Sequence, residues 1–306
     1  MPAAASAIPS IRGSTALLAV LGDPVRHSLS PALQNAALRA LGLDWIYLAL
    51  PTPAAQLDTV LRALAATGCR GLNITIPHKQ AVVELCREIS PLARRLGAVN
   101  TLVPHAAGGW FGTNTDVEGF CAPLRQQGRD WRGTRALVLG CGGSARAVVA
   151  GLVELGCETV LLAGRDPVAL HTFQAECGPW APPLQPLLWR PGTGELRQAV
   201  ARADLVVNTT PVGMASLSDA AAARACPLQP AELEALRPDC LVYDILYIPR
   251  PTTLLQQAAA HGCAHLDGLA MLVGQGAAAL RLWSGIEALP LELMQTAALA
   301  QLAGSG

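Results

Sequence analysis

Ala136-Leu137-Val138-Leu139-Gly140-Cys141-Gly142-Gly143-Ser144-Ala145 is the stretch that decides the fold class of this 306-residue chain. Four apolar residues read as a short buried strand and lead straight into a glycine-rich turn. Small and branched residues from Ser144 to Leu155 then read as a helix. The turn has the form G-x-G-x-x-A. Gly140 permits the tight turn, Gly142 lets backbone approach a pyrophosphate, and Ala145 keeps the helix close to the sheet with its N-terminus facing the anion. A glycine-rich loop alone could be a mere turn. Between a strand and a helix, it points to a dinucleotide-binding fold.

Working outward, further strands are expected at Thr159–Ala163, Asp204–Asn208 and Leu241–Ile245, and the chain closes in alanine-rich helix from Leu269 onward. Trp180 to Gly194, dense in Pro and Gly, reads as a loop with one short strand at best. Upstream, Leu17–Leu21, Trp45–Leu50 and Gly71–Ile76 read as strands, separated by helices over Pro31–Leu41 and Ala54–Ala66. That β-α-β-α-β rhythm implies a second parallel sheet. The length also favours two domains. The Thr159 strand ends in Ala163-Gly164-Arg165-Asp166, where an adenosine ribose would sit. Arg165 could pair bidentately with a 2′-phosphate, which favours NADP, whereas Asp166 is the residue type that favours NAD. A plain surface Arg–Asp turn is the bland alternative.

Composition removes several classes of function. Formal net charge is zero, so there is no basic face for nucleic acid. No run of 18 apolar residues suggests a membrane span. The alanine-rich start, residues 1–14, lacks a basic n-region and reads as a frayed tail rather than a signal peptide. The nine cysteines are odd in number and form no CxxC pair, as expected of buried thiols in a reducing compartment. The expectation is a soluble cytoplasmic protein. His261 and His265 flank Gly262, which should end a helix, so no metal site is expected.

The other informative stretch is Asn73-Ile74-Thr75-Ile76-Pro77-His78-Lys79. Strand alternation puts Asn73 and Thr75 on one face and Ile74 and Ile76 on the other as apolar anchors, and Pro77 ends the strand. Lys79 then stands at a strand end beside two polar groups, although a solvated lysine opening a helix has the same sequence. Ser28 and Ser30 precede Pro31 at the start of a helix, where Ser30 also suits a capping role. Asn100-Thr101 and Asn114-Thr115-Asp116 bracket an expected hairpin. Gln275 interrupts an apolar helix, and a buried amide there needs a partner. Jointly these describe a site for a small polyhydroxylated acid. Oxidising its secondary alcohol needs a general acid/base on the hydroxyl oxygen, which a lysine oriented by a carboxylate can supply.

Taken in order, HSLSP (27–31), NITIPHK (73–79), AVNT (98–101), NTD (114–116), GCGGSAR (140–146), YDILY (243–247) and DGLAMLVGQ (267–275) resemble shikimate dehydrogenase of the bacterial and cyanobacterial type, over Val20 to about Leu293. The resemblance implies an α/β protein of two domains with a cleft between them: a parallel-sheet substrate domain of residues 1–115 and 268–306, and a Rossmann NADP-binding domain of residues 116–267. It implies reduction of 3-dehydroshikimate to shikimate with NADPH, on the way to aromatic amino acids. Ser28, Ser30 and Tyr247 would hold the substrate carboxylate. Asn73, Thr75, Asn100, Asp116 and Gln275 would bind the ring hydroxyls, and Lys79 and Asp116 would form the catalytic pair. Gly140, Cys141, Gly142, Gly143, Ser144, Gly164, Arg165, Thr210, Ile245 and Gly268 would meet the cofactor. The chain departs from the family in carrying Ala169 where a second arginine is usual, and Ile245 where methionine or leucine is. The expected state is monomer or homodimer. Oxidation of quinate with relaxed NAD/NADP use, or a non-catalytic dinucleotide sensor on the same fold, are the alternatives.

Overall fold

Segments of alternating and continuous apolar residues build two six-stranded sheets, each in its own compact unit of the computed structural model. The structure describes residues 11–190, 193–214 and 221–304, so most of the expected N-terminal tail lies outside the described residues. One unit comprises residues 1–114 and 276–306, the other 115–275.

The first unit runs β1 (Ala16–Gly22), α1 (Ser30–Ala40), β2 (Trp45–Pro51), α2 (Leu57–Ala66), β3 (Gly71–Ile74), β4 (Glu88–Ile89), α3 (Pro91–Leu96), β5 (Thr101–Pro104) and β6 (Trp110–Thr113). Its sheet order is β2-β1-β3-β5-β6-β4. β1 pairs in parallel with β2 and β3, but β3–β5 and β5–β6 are antiparallel. The expectation of a parallel sheet is therefore corrected to a mixed one. The five residues between β5 and β6 are too few for a crossover, so these strands close as the expected hairpin. Leu21, Leu72, Ile74 and Leu102 lie in one buried core.

The second unit runs α4 (Asp116–Gln126), β7 (Arg135–Leu139), α5 (Gly143–Glu154), β8 (Thr159–Gly164), α6 (Pro167–Cys177), β9 (Leu184–Leu188), α7 (Glu195–Arg202), β10 (Leu205–Asn208), α8 (Pro230–Leu233), β11 (Leu241–Asp244), α9 (Thr253–Ala260) and β12 (Ala264–Leu266). The order β12-β11-β10-β7-β8-β9 is parallel throughout, a doubly wound Rossmann-type sheet. α10 (Gly268–Ser284) begins in this unit and ends in the first, where α11 (Leu291–Ala303) packs on α1. α4 and α10 meet closely at Gly119. A Cβ there would lie 2.7 Å from both Met271 O and Gln275 N.

Strand β3 is shorter than the sequence suggests. Thr75 N makes its last sheet bond to Leu21 O, and His78 N turns back onto Thr75 O. The pleat ends with buried Ile74, and Ile76, expected as an apolar anchor, is 71% exposed.

Candidate active site

In the first unit the polar residues form one hydrogen-bonded chain. Tyr47, fully buried in β2, donates its phenol to Asn73 Oδ1 at 2.7 Å, and the Ser30 hydroxyl lies near the same phenol. Asn73 Nδ2 donates to Asn100 O at 3.2 Å and Thr101 Oγ1 at 3.1 Å, and Thr101 Oγ1 donates to Asn100 Oδ1 at 2.9 Å. Desolvation pushes the Tyr47 phenol well above its usual range, so it stays a neutral donor. Tyr47 is itself fixed by Asn35 of α1, whose amide pairs with both Tyr47 N and Tyr47 O at 2.9 and 2.8 Å. The structure thus brings together Ser30, Asn73 and Asn100, three residues expected to bind substrate, through a tyrosine the sequence reading missed. A signal was present: a phenol inside the apolar run WIYLALP must find a partner.

Ser30 does not take the capping role: the N-cap of α1 is Leu29, with no side-chain cap, and Ser28 Oγ accepts from Ser30 N at 3.2 Å. Lys79 follows a tightly pinned turn. His78 is buried with its Nε2 2.7 Å from Thr52 O, and Lys79 O accepts from Val99 N at 2.8 Å. That last bond ties the lysine backbone to the segment entering Asn100. Lys79 and Thr75 are half-buried.

In the second unit the glycine loop lies where the Rossmann reading expects it, at the carboxyl edge of β7. Gly140 has φ +100°, a left-handed conformation in which a side chain is strained, and a Cβ there would lie 2.9 Å from Thr210 Cγ2. Gly142 and Gly143 face open space, and the N-terminus of α5 has no side-chain cap. Its first N–H groups thus suit an anion, so the residues fit a dinucleotide pyrophosphate. Gly164, at the end of β8, abuts Cys141, with a Cβ position 3.1 Å from its Sγ. Thr210 N and Oγ1 both donate to Asn208 Oδ1, at 3.0 and 2.7 Å. Ile245 N donates to Asn208 O, and a Cβ on Gly268 would lie 1.9 Å from Ile245 O, so only glycine fits there. Gly164, the loop, Thr210 and Ile245 therefore follow one another along neighbouring strand ends.

Behind that edge lies an unanticipated carboxylate. Asp244, fully buried, accepts from Asn208 Nδ2 at 3.0 Å, Leu246 N at 3.1 Å and Thr252 Oγ1 at 2.7 Å. Burial outweighs these donors and pushes its pKa up to about 6. Asp116 opens α4 and is buried, while Gln275 Nε2 donates to Leu272 O at 2.9 Å. Tyr247 is half-buried, and desolvation raises its phenol pKa.

Asp166 is engaged at the start of α6. Its carboxylate caps α6, accepting from Val168 N at 2.8 Å and Ala169 N at 3.3 Å. Among the described residues no cluster of His, Cys, Asp or Glu could hold a metal, and no helix is long and apolar enough to cross a membrane.

Residues 20–102 match the family description "Shikimate dehydrogenase substrate binding domain", and residues 268–299 match "Shikimate 5'-dehydrogenase C-terminal domain". The shikimate dehydrogenase (NADP(+)) of Synechocystis is 45% identical over 300 residues, covering 96% of this chain and 99% of its own. The structure of shikimate 5-dehydrogenase from Thermus thermophilus, in complex with NADP(H) and shikimate, is 36% identical with a TM-score of 0.81 and covers 94% of this chain and all of that one. Quinate dehydrogenase from Corynebacterium glutamicum, in complex with NAD, is 31% identical with a TM-score of 0.83, covering 94% of this chain and 99% of that one. With identity above two-fifths across nearly its whole length, the chain belongs to the shikimate dehydrogenase family.

Proposed function

We propose that this chain catalyses the reversible NADPH-dependent reduction of 3-dehydroshikimate to shikimate, a step toward chorismate and aromatic amino acids. The observation that carries the reading is the chain of hydrogen bonds from Tyr47 through Asn73 and Thr101 to Asn100, with Ser30 near the phenol and the pinned turn that presents Lys79 next to it. It is an array of hydroxyls and amides suited to a small acid bearing several hydroxyls. The full-length likeness to NADP-dependent relatives supports the same substrate.

In this reading the first unit is the substrate domain, and the second binds NADP. Ser28 and Ser30, with Tyr247, hold the carboxylate. Asn73, Thr75, Asn100, Asp116 and Gln275 receive the ring hydroxyls. Lys79 polarises the carbonyl oxygen during reduction and takes the hydroxyl proton during oxidation, with Asp116 as its partner carboxylate. Gly140 to Ser144, Gly164, Arg165, Thr210, Ile245 and Gly268 receive the dinucleotide. Its nicotinamide supplies or accepts the hydride. We place the enzyme in the cytoplasm as a monomer or homodimer.

Loss of nicotinamide absorbance on mixing the protein with NADPH and 3-dehydroshikimate tests the proposal, and its absence would count against it. A second reading, that quinate is also oxidised, is favoured by the likeness to quinate dehydrogenase.

A further inference from the structure

We propose that Trp189 determines cofactor specificity by holding the Arg165 guanidinium against its indole face, so that its N–H edge is preset for the 2′-phosphate of NADP. The inference rests on the assignment of Arg165 to that phosphate. It assigns a role to a residue in the segment expected to be a loop with one short strand at best.

The geometry begins with strand register. β8 and β9 are parallel, with Gly164 paired to Leu188, and Trp189 N donates to Gly164 O at 2.8 Å. Arg165 and Trp189 therefore leave the sheet side by side at its carboxyl edge, where α/β sheets bind their ligands. The Arg165 guanidinium carbon lies 5.8 Å from the Trp189 ring centroid, within cation–π range. The indole is anchored from below, since Trp189 packs with Leu161 and Leu187 against the buried core of the unit.

Two neighbours sharpen the argument. Asp166, the one carboxylate adjacent in sequence, is engaged as the cap of α6 and does not compete for the guanidinium. Ala169, one turn on, supplies no second cation. Arg165 is exposed, as is Arg190 beside Trp189, and an arginine that nothing holds loses much side-chain entropy when it fixes a ligand. Stacking covers one face of the planar guanidinium and leaves its N–H edge available. A face held by indole and an edge open to solvent is the arrangement that receives a dianionic phosphate bidentately.

The test is titration calorimetry on the full chain without dinucleotide, comparing adenosine 2′,5′-bisphosphate with adenosine 5′-monophosphate. Trp189→Leu keeps apolar bulk against the core but removes the π face, and Trp189→Phe retains a ring. Trp189→Leu should weaken the bisphosphate about two- to five-fold, the range of an exposed cation–π contact, and change the monophosphate by less than about two-fold. Trp189→Phe should keep most of the parent affinity. Arg165→Ala should abolish the preference for the bisphosphate. If Trp189→Leu matches the parent, or weakens both nucleotides equally, while Arg165→Ala still loses the preference, the role of Trp189 is overturned and the Arg165 assignment stands. If Arg165→Ala keeps the preference, the assignment of the phosphate to Arg165 falls, and this inference falls with it.

Discussion

The Tyr47 phenol donates to Asn73 Oδ1 at 2.7 Å from a position with no solvent access. This bond orients the Asn73 amide so that its Nδ2 faces Asn100 O and Thr101 Oγ1. Tyr47→Phe removes one oxygen and keeps the ring. Losing a buried hydrogen bond costs about 0.5–1.5 kcal/mol, so the KM for shikimate should rise about two- to ten-fold. Turnover and the KM for NADP should change much less. Equal losses in all three would reduce Tyr47 to a packing residue.

Asp244 predicts a pH signature in stability. Its folded-state pKa of about 6 exceeds the ordinary 3.8, so the folded protein holds a proton that the unfolded chain has released between those values. The corresponding stabilisation is complete below the unfolded value and is lost as pH rises through about 6. Asp267 adds to the effect as a nearby negative charge. Relative to Asp244→Asn, the parent should therefore lose on the order of 3 kcal/mol between about pH 4 and pH 7. Urea midpoints of both proteins at the two pH values measure the difference. An unchanged difference would show that Asp244 titrates normally.

Gly268→Ala places a methyl 1.9 Å from Ile245 O, and backbone cannot yield as a flexible side chain can. The variant should melt several degrees lower, consistent with an overpacking cost of about 1–3 kcal/mol. The KM for NADP should rise with it, because Ile245 would be displaced. Thermal melts and initial rates check the two effects separately.

The Rossmann half of the fold was legible because its information is local. A four-residue apolar strand, a glycine loop and a helix are contiguous, and Gly140 has the positive φ that its place in the motif requires. The hairpin from Asn100 to Asn114 was legible for the same reason. The mixed pairing of the first sheet was not, because nothing local to β3 records that β5 approaches it antiparallel. Ile76 misled for a related reason: alternation continues through it in sequence, whereas the chain leaves the sheet after Thr75. Tyr47, Trp189 and Asp244 depend on partners distant in sequence; the short strand allowed for between Trp180 and Gly194 is β9, but nothing local sets Trp189 beside Arg165.

Lys79→Ala should lower turnover by about 10²–10⁴-fold, the range for loss of a general acid/base. Binding of shikimate should fall far less, since the contacts proposed for Asn100 and Gln275 survive. Single-turnover rates alongside equilibrium binding separate the two. Near-normal turnover would transfer the role to Asp116 or to water.

The most direct measurement is the initial rate of nicotinamide reduction by the parent protein with shikimate or quinate, each paired with NADP or NAD. The account predicts the highest kcat/KM for shikimate with NADP, a moderate preference for NADP over NAD, and a lower value for quinate. No reduction with any pair would contradict an enzymatic function, and a preference for NAD or for quinate would contradict the assignment made from Arg165 and the Tyr47–Asn73–Asn100 chain.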